Sequence, residues 1–390
     1  MENLEVADVF RQFGPSYLDA FGARMLPSHR RALEDIAACR TQAMGGHLYE
    51  CGSCGKRFHV YHGCRNRSCP ACHTHQTAQW LEARAAELLP CPYYHVCVTI
   101  PPELHALFRA NQKLAYGLLM KAAAESVLDL CLDKRYMGAT PALLAVLHTW
   151  TARMDYHPHV HLLVSGGGTA GDGTLWREAR HPFFVPVRAL SELVRGKLRA
   201  LLEKARPALV GDLPDSAWKK KWVAWCKYWG SGEGAVLDYL GRYVHRIAIT
   251  NTRILAMDEK SVTFRYKDRK QNQWRTCTLD GHEFLRRFLQ HVLPKGLHKV
   301  RYYGLWNPKK RGLLGNTRIA LELVRGAARA GALAKDGGKG PDNPHDCALI
   351  IAELEQGPAC PHCGCAGASH LAVVPRGPSL TAARASPATP

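Results

Sequence analysis

The sequence predicts an α+β fold in which a central antiparallel sheet, flanked by helices, follows a small zinc-binding domain. Three observations carry that expectation. Two C-x2-C pairs, Cys51/Cys54 and Cys69/Cys72, lie close together near the start of the chain. The run Asp155-Tyr156-His157-Pro158-His159-Val160-His161 alternates polar and apolar residues and leads into an apolar stretch. Beyond residue 86, strand-like runs are interspersed with helical ones. They divide the chain into a zinc-binding domain at 1–85, a central α+β domain at 86–305, and a basic extension at 306–390.

Residues 1–85 open with short helices and then reach the cysteines. Two C-x2-C pairs joined by a short loop can close a tetrahedral thiolate site, which lets a loop-rich segment fold around Zn²⁺ without a large core. The expected ligands are Cys51, Cys54, Cys69 and Cys72, with Cys64 or one of His59, His62 and His73 as a substitute. Four unrelated cysteines are the plain alternative, which the paired spacing disfavours.

Residues 94–100 read as a strand ended by Pro101-Pro102, and 104–132 as mostly helical. Residues 142–150 and 159–165 read as paired strands. Helices are expected at 190–202, 217–229 and 233–246, short strands at 247–255, 262–266 and 274–279, and a helix at 281–292. Trp218, Trp222, Trp225 and Trp229 recur at helical spacing and read as a core stripe, with Lys219, Lys220 and Lys221 on a solvated face. Cys97, Cys131, Cys226 and Cys277 stand alone in apolar settings, as buried thiols do. Gly166, Gly167 and Gly168 permit close backbone approach or form a plain turn.

Residues two apart on a strand share a face, so His159 and His161 can aim at one ion while Val160 packs behind them. Two imidazoles make a weak cage for a divalent ion. If the hairpin loop is centred on Arg153 and Met154, His148 falls opposite His159 on the same face and supplies the third. His157 has the same parity but precedes a proline, which places it at the strand start, beside the ligands or facing outward to a bound substrate. In the 233–246 helix, Tyr239 and Tyr243 sit roughly 40° apart on one face and can turn both phenols toward one metal. Such i, i+4 tyrosines are also ordinary helix packing.

A His-hydrophobic-His pair followed by a tyrosine helix resembles the HUH endonuclease superfamily, and the chain is most similar to the two-tyrosine rolling-circle transposases of the insertion sequence 91 family. The resemblance takes in the cysteines from Cys51 to Cys72, the run from His157 to Gly168, the tyrosine segment from Tyr239 to Arg253, and the stretch from Phe288 to Leu305. It implies nicking and rejoining of single-stranded DNA through a 5′-phosphotyrosine. Tyr239 and Tyr243 would be nucleophiles, His148, His159 and His161 would hold Mg²⁺ or Mn²⁺, and zinc would be structural. Relatives with one catalytic tyrosine also exist, and Tyr243 is then the choice. A plasmid or phage replication initiator with the same chemistry, or a non-catalytic zinc-dependent DNA-binding protein, are the alternatives.

The net charge of +19, from 52 basic and 33 acidic residues, fits a polyanionic partner, with nucleic acid foremost, although a basic surface alone is the blander explanation. Arg265, Lys267, Arg269, Lys270 and Arg301 lie where aromatics and bases interleave, a pattern suited to stacking bases and pairing phosphates of single strands. The start of the chain has neither a basic nor an apolar export region, and its apolar runs fall well short of the ~20 residues that span a bilayer. A cytoplasmic protein with reduced thiols is expected. In the tail, the segment around Cys360 and Cys363 looks like half a zinc knuckle, to be completed by Cys365, His362 or distant Cys347.

Overall fold

The computed structural model describes residues 4–72, 87–170, 175–180, 184–211, 213–231, 234, 236, 239, 243–244, 247–268, 271–333 and 358–377. Helices α1 (Val6–Phe21) and α2 (Pro27–Ala38) bury Val9, Phe10 and Phe13 against Leu33 and Ile36. A hairpin follows, formed by β1 (Gly46–Cys51) and β2 (Arg57–Tyr61). Its third strand comes from the far end of the sequence: β12 (Ala368–Val374) pairs antiparallel with β1 on the side away from β2.

The central sheet holds β3 (Pro92–Thr99), β4 (Thr140–Trp150), β5 (Tyr156–Ala170), β7 (Val223–Ser231) and β11 (Val300–Gly304) in the order β11-β4-β5-β3-β7, with β6 (Leu175–Glu178) paired to the end of β5. Each of these pairings is antiparallel. β4 and β5 are apolar at consecutive positions because both their faces are covered. On one face Val96, Val98, Leu143, Leu147, Val160 and Leu162 join the core under α3 (His105–Ala110), α4 (Gln112–Leu132) and α5 (Val187–Ala205). On the other face, Tyr93, Leu144, Val146 and Leu163 pack with Val236, Tyr239, Val244 and Trp306. The glycine triplet lies within β5. A Cβ at Gly167 would stand 2.3 Å from the Trp176 ring, and one at Gly168 would stand 2.3 Å from the Thr140 carbonyl oxygen, so close packing of neighbouring strands requires glycine there.

A second small sheet, β8 (Ile254–Met257), β9 (Ser261–Asp268) and β10 (Gln273–Asp280), leads into α6 (Gly281–Leu289), whose N-cap Asp280 accepts the backbone N–H groups of His282 and Glu283. Phe264, Phe284 and Phe288 share one core with α1 and α2, so this sheet and the N-terminal helices form a continuous body. After β11 comes α7 (Arg311–Leu333).

Two expected elements differ. Residues 217–229 form a single turn, Ser216–Lys219, followed by strand β7 rather than one helix. A four-residue spacing is also an even one, so it marks a strand face as readily as a helix face. Of 247–255, only Ile254 onward is strand, after a tight turn at Asn251–Arg253. In the C-terminal stretch, Leu314 packs in the sheet core and β12 returns to the N-terminal sheet.

The turn between β4 and β5 is pinned from outside. Met154, buried with φ of 61°, gives its carbonyl to Gln290 Nε2 and His291 Nε2, both at 3.0 Å, while Thr149 Oγ1 bonds His291 Nδ1 at 3.1 Å. Burial lowers His291 from 6.5 to about 4. The folded protein then binds fewer protons here than the unfolded chain between these values, so stability falls as pH drops from about 6.5 toward 4, by at most about 3 kcal/mol from this group. His291→Gln cannot charge, and its unfolding free energy should depend less steeply on pH across that window in denaturant titrations. An unchanged slope would assign the acid sensitivity to other groups.

Candidate active site

The β4–β5 register pairs His148 with His159 and Val146 with His161, as expected of a hairpin turning at Arg153 and Met154. His148, His159 and His161 offer ring nitrogens all within 4.8 Å of one another, so one ion can sit among them. His159 Nδ1 donates to the His157 carbonyl at 2.7 Å, which leaves Nε2 as the nitrogen it can offer an ion. His157 thus fixes the orientation of the His159 ring through its backbone. His148 Nε2 donates to the Tyr243 carbonyl at 2.6 Å, pointing to Nδ1 for His148, and the His148 ring stacks on Trp150 at 4.6 Å.

The structure adds a histidine that the sequence reading passed over. His95, fully buried on β3, places Nε2 2.9 Å from His161 Nδ1. Its ring also lies 4.9 Å from Tyr239, 4.6 Å from Tyr243, 4.4 Å from Trp225 and 5.3 Å from Trp229. A histidine inside an apolar strand was the available signal, but its partner depended on the β3–β5 register.

Within the tyrosine segment, Tyr239 is helical and Tyr243 lies in a wider π-type turn; Asp238, Leu240, Gly241 and Arg242 fall outside the described residues. The two rings are 4.8 Å apart. Tyr243 is half-buried and nearer the trio, at 4.5 Å from His161 and 6.2 Å from His148. Tyr239 is wholly buried, and its hydroxyl has no hydrogen-bond partner among the described residues. Burial, reinforced by Cys97 and Tyr243, raises its phenol well above the usual value. In this conformation Tyr243 faces the histidines and Tyr239 stands behind it.

The cysteines are distributed otherwise than their pairing in the sequence suggests. Cys51 and Cys54 lie at the turn of the β1–β2 hairpin, whereas Cys69 and Cys72 follow its far end, about five residues or 17 Å of strand away. Cys69 and Cys72 join Cys39 and Cys64, and Cys51 and Cys54 join Cys360 and Cys363. In the first group, Cys39 Sγ lies 3.5 Å from Cys72 and 3.6 Å from Cys69, and Cys64 lies 3.8 Å from Cys72. Tetrahedral zinc with Zn–S of ~2.3 Å separates its sulfurs by about 3.8 Å. Backbone N–H groups of Arg65 and Asn66 also point at Cys72 and Cys64. Cys39, at the end of α2 with no C-x2-C partner, carried no signal of its own. His73 and Cys347 are outside the described residues.

Of the basic residues expected to meet DNA, Arg265 and Lys267 are exposed on β9, with the Arg265 guanidinium 5.1 Å from the exposed Trp274 ring. Arg269 and Lys270 lie outside the described residues. Arg301 turns away from the histidines, donating to the Gly117 carbonyl of α4 at 3.2 Å. Trp225 and Trp229 line the histidine face of β7 with the exposed Lys227, whose Nζ lies 5.4 Å from the Trp229 ring, while Trp218 and Trp222 are buried under the opposite face.

Residues 143–312 match the family described as "Putative transposase", and residues 9–100 match the transposase zinc-binding domain. A "Putative transposase y4qJ" of Sinorhizobium fredii is 41% identical over 324 residues, covering 79% of this chain and 81% of that protein. The transposase for insertion sequence element IS801 of Pseudomonas savastanoi pv. phaseolicola is 30% identical over 284 residues, covering 69% of this chain and 68% of that protein. No solved structure matches. Among the described residues, no helix is long and apolar enough to cross a membrane.

Partners that orient a metal-ligating histidine typically tune affinity 10- to 100-fold. If His161 is a ligand, His95→Ala should weaken Mn²⁺ binding by about that factor in a titration followed by electron paramagnetic resonance. Unaltered affinity in a folded His95→Ala protein would confine His95 to packing.

Proposed function

For a chain that belongs to the insertion sequence 91 family of transposases, we propose that it cuts and rejoins single-stranded DNA at element ends through a 5′-phosphotyrosine, with Tyr243 as first nucleophile and Tyr239 as the second. The observation carrying this reading is the placement of Tyr243. Its ring lies 4.5 Å from His161, and its own carbonyl accepts a hydrogen bond from His148. The nucleophile and the metal cage are therefore held by one contact.

A phenol with an ordinary pKa near 10 attacks poorly at neutral pH, so the phosphate must be activated. His148, His159 and His161 would hold the ion, which as Mg²⁺ or Mn²⁺ supplies Lewis acidity at the scissile phosphate. Their nitrogen donors suit Mn²⁺ better than Mg²⁺, which favours oxygen. Tyr243 Oη forms the new P–O bond as the bond from phosphorus to the 3′-oxygen breaks. The phenol loses its proton and the departing oxygen gains one, leaving a 5′-phosphotyrosine and a free 3′-hydroxyl. Attack by a 3′-hydroxyl reverses the exchange, so rejoining requires no nucleotide energy.

Tyr239, buried behind Tyr243, would act only after the first phenol is esterified and displaced. That order gives each tyrosine one strand of the transposition cycle. The surface beside the site suits single-stranded DNA: Trp225 and Trp229 with Lys227, and farther off Arg265 with Trp274, offer stacking faces next to cations. Membership in a transposase family favours this reading over a replication initiator, and the assembled histidines and tyrosines favour it over a non-catalytic DNA-binding protein.

Phenylalanine retains the ring and removes only the hydroxyl. With labelled single-stranded element ends, Tyr243→Phe should abolish the first covalent adduct, while Tyr239→Phe should still form it but fail to complete strand transfer. Adduct formation by the double variant would place the nucleophile elsewhere. His159→Ala should abolish nicking and leave DNA affinity within a few-fold of wild type; full activity would remove the metal assignment. Affinity for single strands should fall with salt at a log–log slope of about −0.7 per neutralised phosphate. Salt-independent binding would assign the basic surface to another task.

A further inference from the structure

The C-terminal cysteines find their partners across nearly the whole length of the chain. Cys51 Sγ lies 3.6 Å from Cys363 Sγ, and Cys54 Sγ lies 3.7 Å from Cys360 Sγ. All four ligand atoms are within 4.8 Å of one another. These spacings are close to the roughly 3.8 Å edge of a tetrahedral zinc–thiolate site, and far from the ~2.05 Å of a disulfide.

The two halves are built alike. Each reads C-x2-C-G, and each glycine has a positive φ, +71° at Gly55 and +76° at Gly364. Gly55 N–H donates to the Cys51 carbonyl and Gly364 N–H to the Cys360 carbonyl, both at 2.8 Å. Cys51 N–H in turn donates to the Lys56 carbonyl at 3.0 Å, and Cys360 N–H to the Cys365 carbonyl at 2.9 Å. Such matched loops curl their backbones around a pair of sulfurs. Between them, β12 pairs with β1 from Gly46↔Val374 to Cys51↔Ala368, with one irregularity between Leu48 and Tyr49.

The apolar core at this end is small. Cys51, Phe58, Cys360 and Ala368 are buried there, with Tyr49 packed against them. A cluster of that size supplies little hydrophobic stabilisation, which is the circumstance in which a bound metal holds a small unit together. We propose that Cys51, Cys54, Cys360 and Cys363 hold a second structural Zn²⁺, separate from the ion of Cys39, Cys64, Cys69 and Cys72, and that it fastens the C-terminal segment to the N-terminal sheet. Half of its ligands lie beyond residues 9–100, where the zinc-binding domain match falls.

The experiment uses the full chain carrying His159→Ala and His161→Ala, so that the histidine trio takes up no zinc, purified under reducing conditions and titrated with Zn²⁺ alone. Native mass spectrometry should show two zinc ions per chain, and ¹¹³Cd substitution should give two resonances in the all-thiolate region. The Cys360→Ser/Cys363→Ser variant should lose one ion and become cleavable within 358–377 by a protease that spares the zinc-loaded wild type. Cys365→Ser should retain both ions, because Cys365 lies outside the group. One zinc and one ¹¹³Cd resonance in that chain with its cysteines intact would overturn the proposal. So would two ions retained by the double variant, loss of an ion from Cys365→Ser, or a Cys51–Cys363 disulfide in the reduced protein.

Discussion

The register between β4 and β5 is the constraint on which the site depends. Because side chains alternate along a strand, slippage by one residue would turn His159 and His161 into the helical core and present Val160 to the tyrosines. The structure fixes that register at both ends of the hairpin. Near the turn, His291 and Gln290 hold the Met154 carbonyl. At the other end, Ser165 Oγ accepts the Ala142 N–H at 2.8 Å, and the close approach at Gly168 admits no side chain. Apolar burial on both faces strengthens the choice, since the two cores have different shapes and partners.

The hairpin is braced by the elements around it. Arg67, between Cys64 and Cys69, donates its guanidinium to the carbonyls of Leu293 at 2.5 Å, Pro294 at 2.8 Å and Leu297 at 2.7 Å. Those residues lead into β11, which pairs with β4. A cysteine cluster thus braces the edge of the sheet that carries His148. On the opposite edge, β7 brings Trp225 and Trp229 against His95, and Trp229 also packs on Tyr239 and Tyr243.

The sequence disclosed what depends on local pattern. Strand parity gave His159 and His161, hairpin symmetry gave His148, and the four-residue spacing placed Tyr239 and Tyr243 together. It was less informative wherever one spacing serves two structures or where partners are distant. Trp218 to Trp229 fit a helix stripe, yet half of them lie on a strand. His95 needed the register of a strand more than 60 residues from His161. The cysteines were the plainest case: local C-x2-C pairing suggested one site, but hairpin length parts the pairs, and each finds its partners elsewhere in the chain. Arg301 shows the same limit, because a basic residue in an aromatic-rich strand carries no mark of which face it occupies.

The proposed chemistry needs three imidazoles from one hairpin to hold an ion beside Tyr243. Anomalous diffraction from Mn²⁺-soaked crystals of the full chain tests it most directly. The account predicts one strong peak within coordination distance of His148, His159 and His161 on the face occupied by Tyr243. A peak away from the trio, or none there at saturating Mn²⁺ with the histidines well ordered, would contradict it.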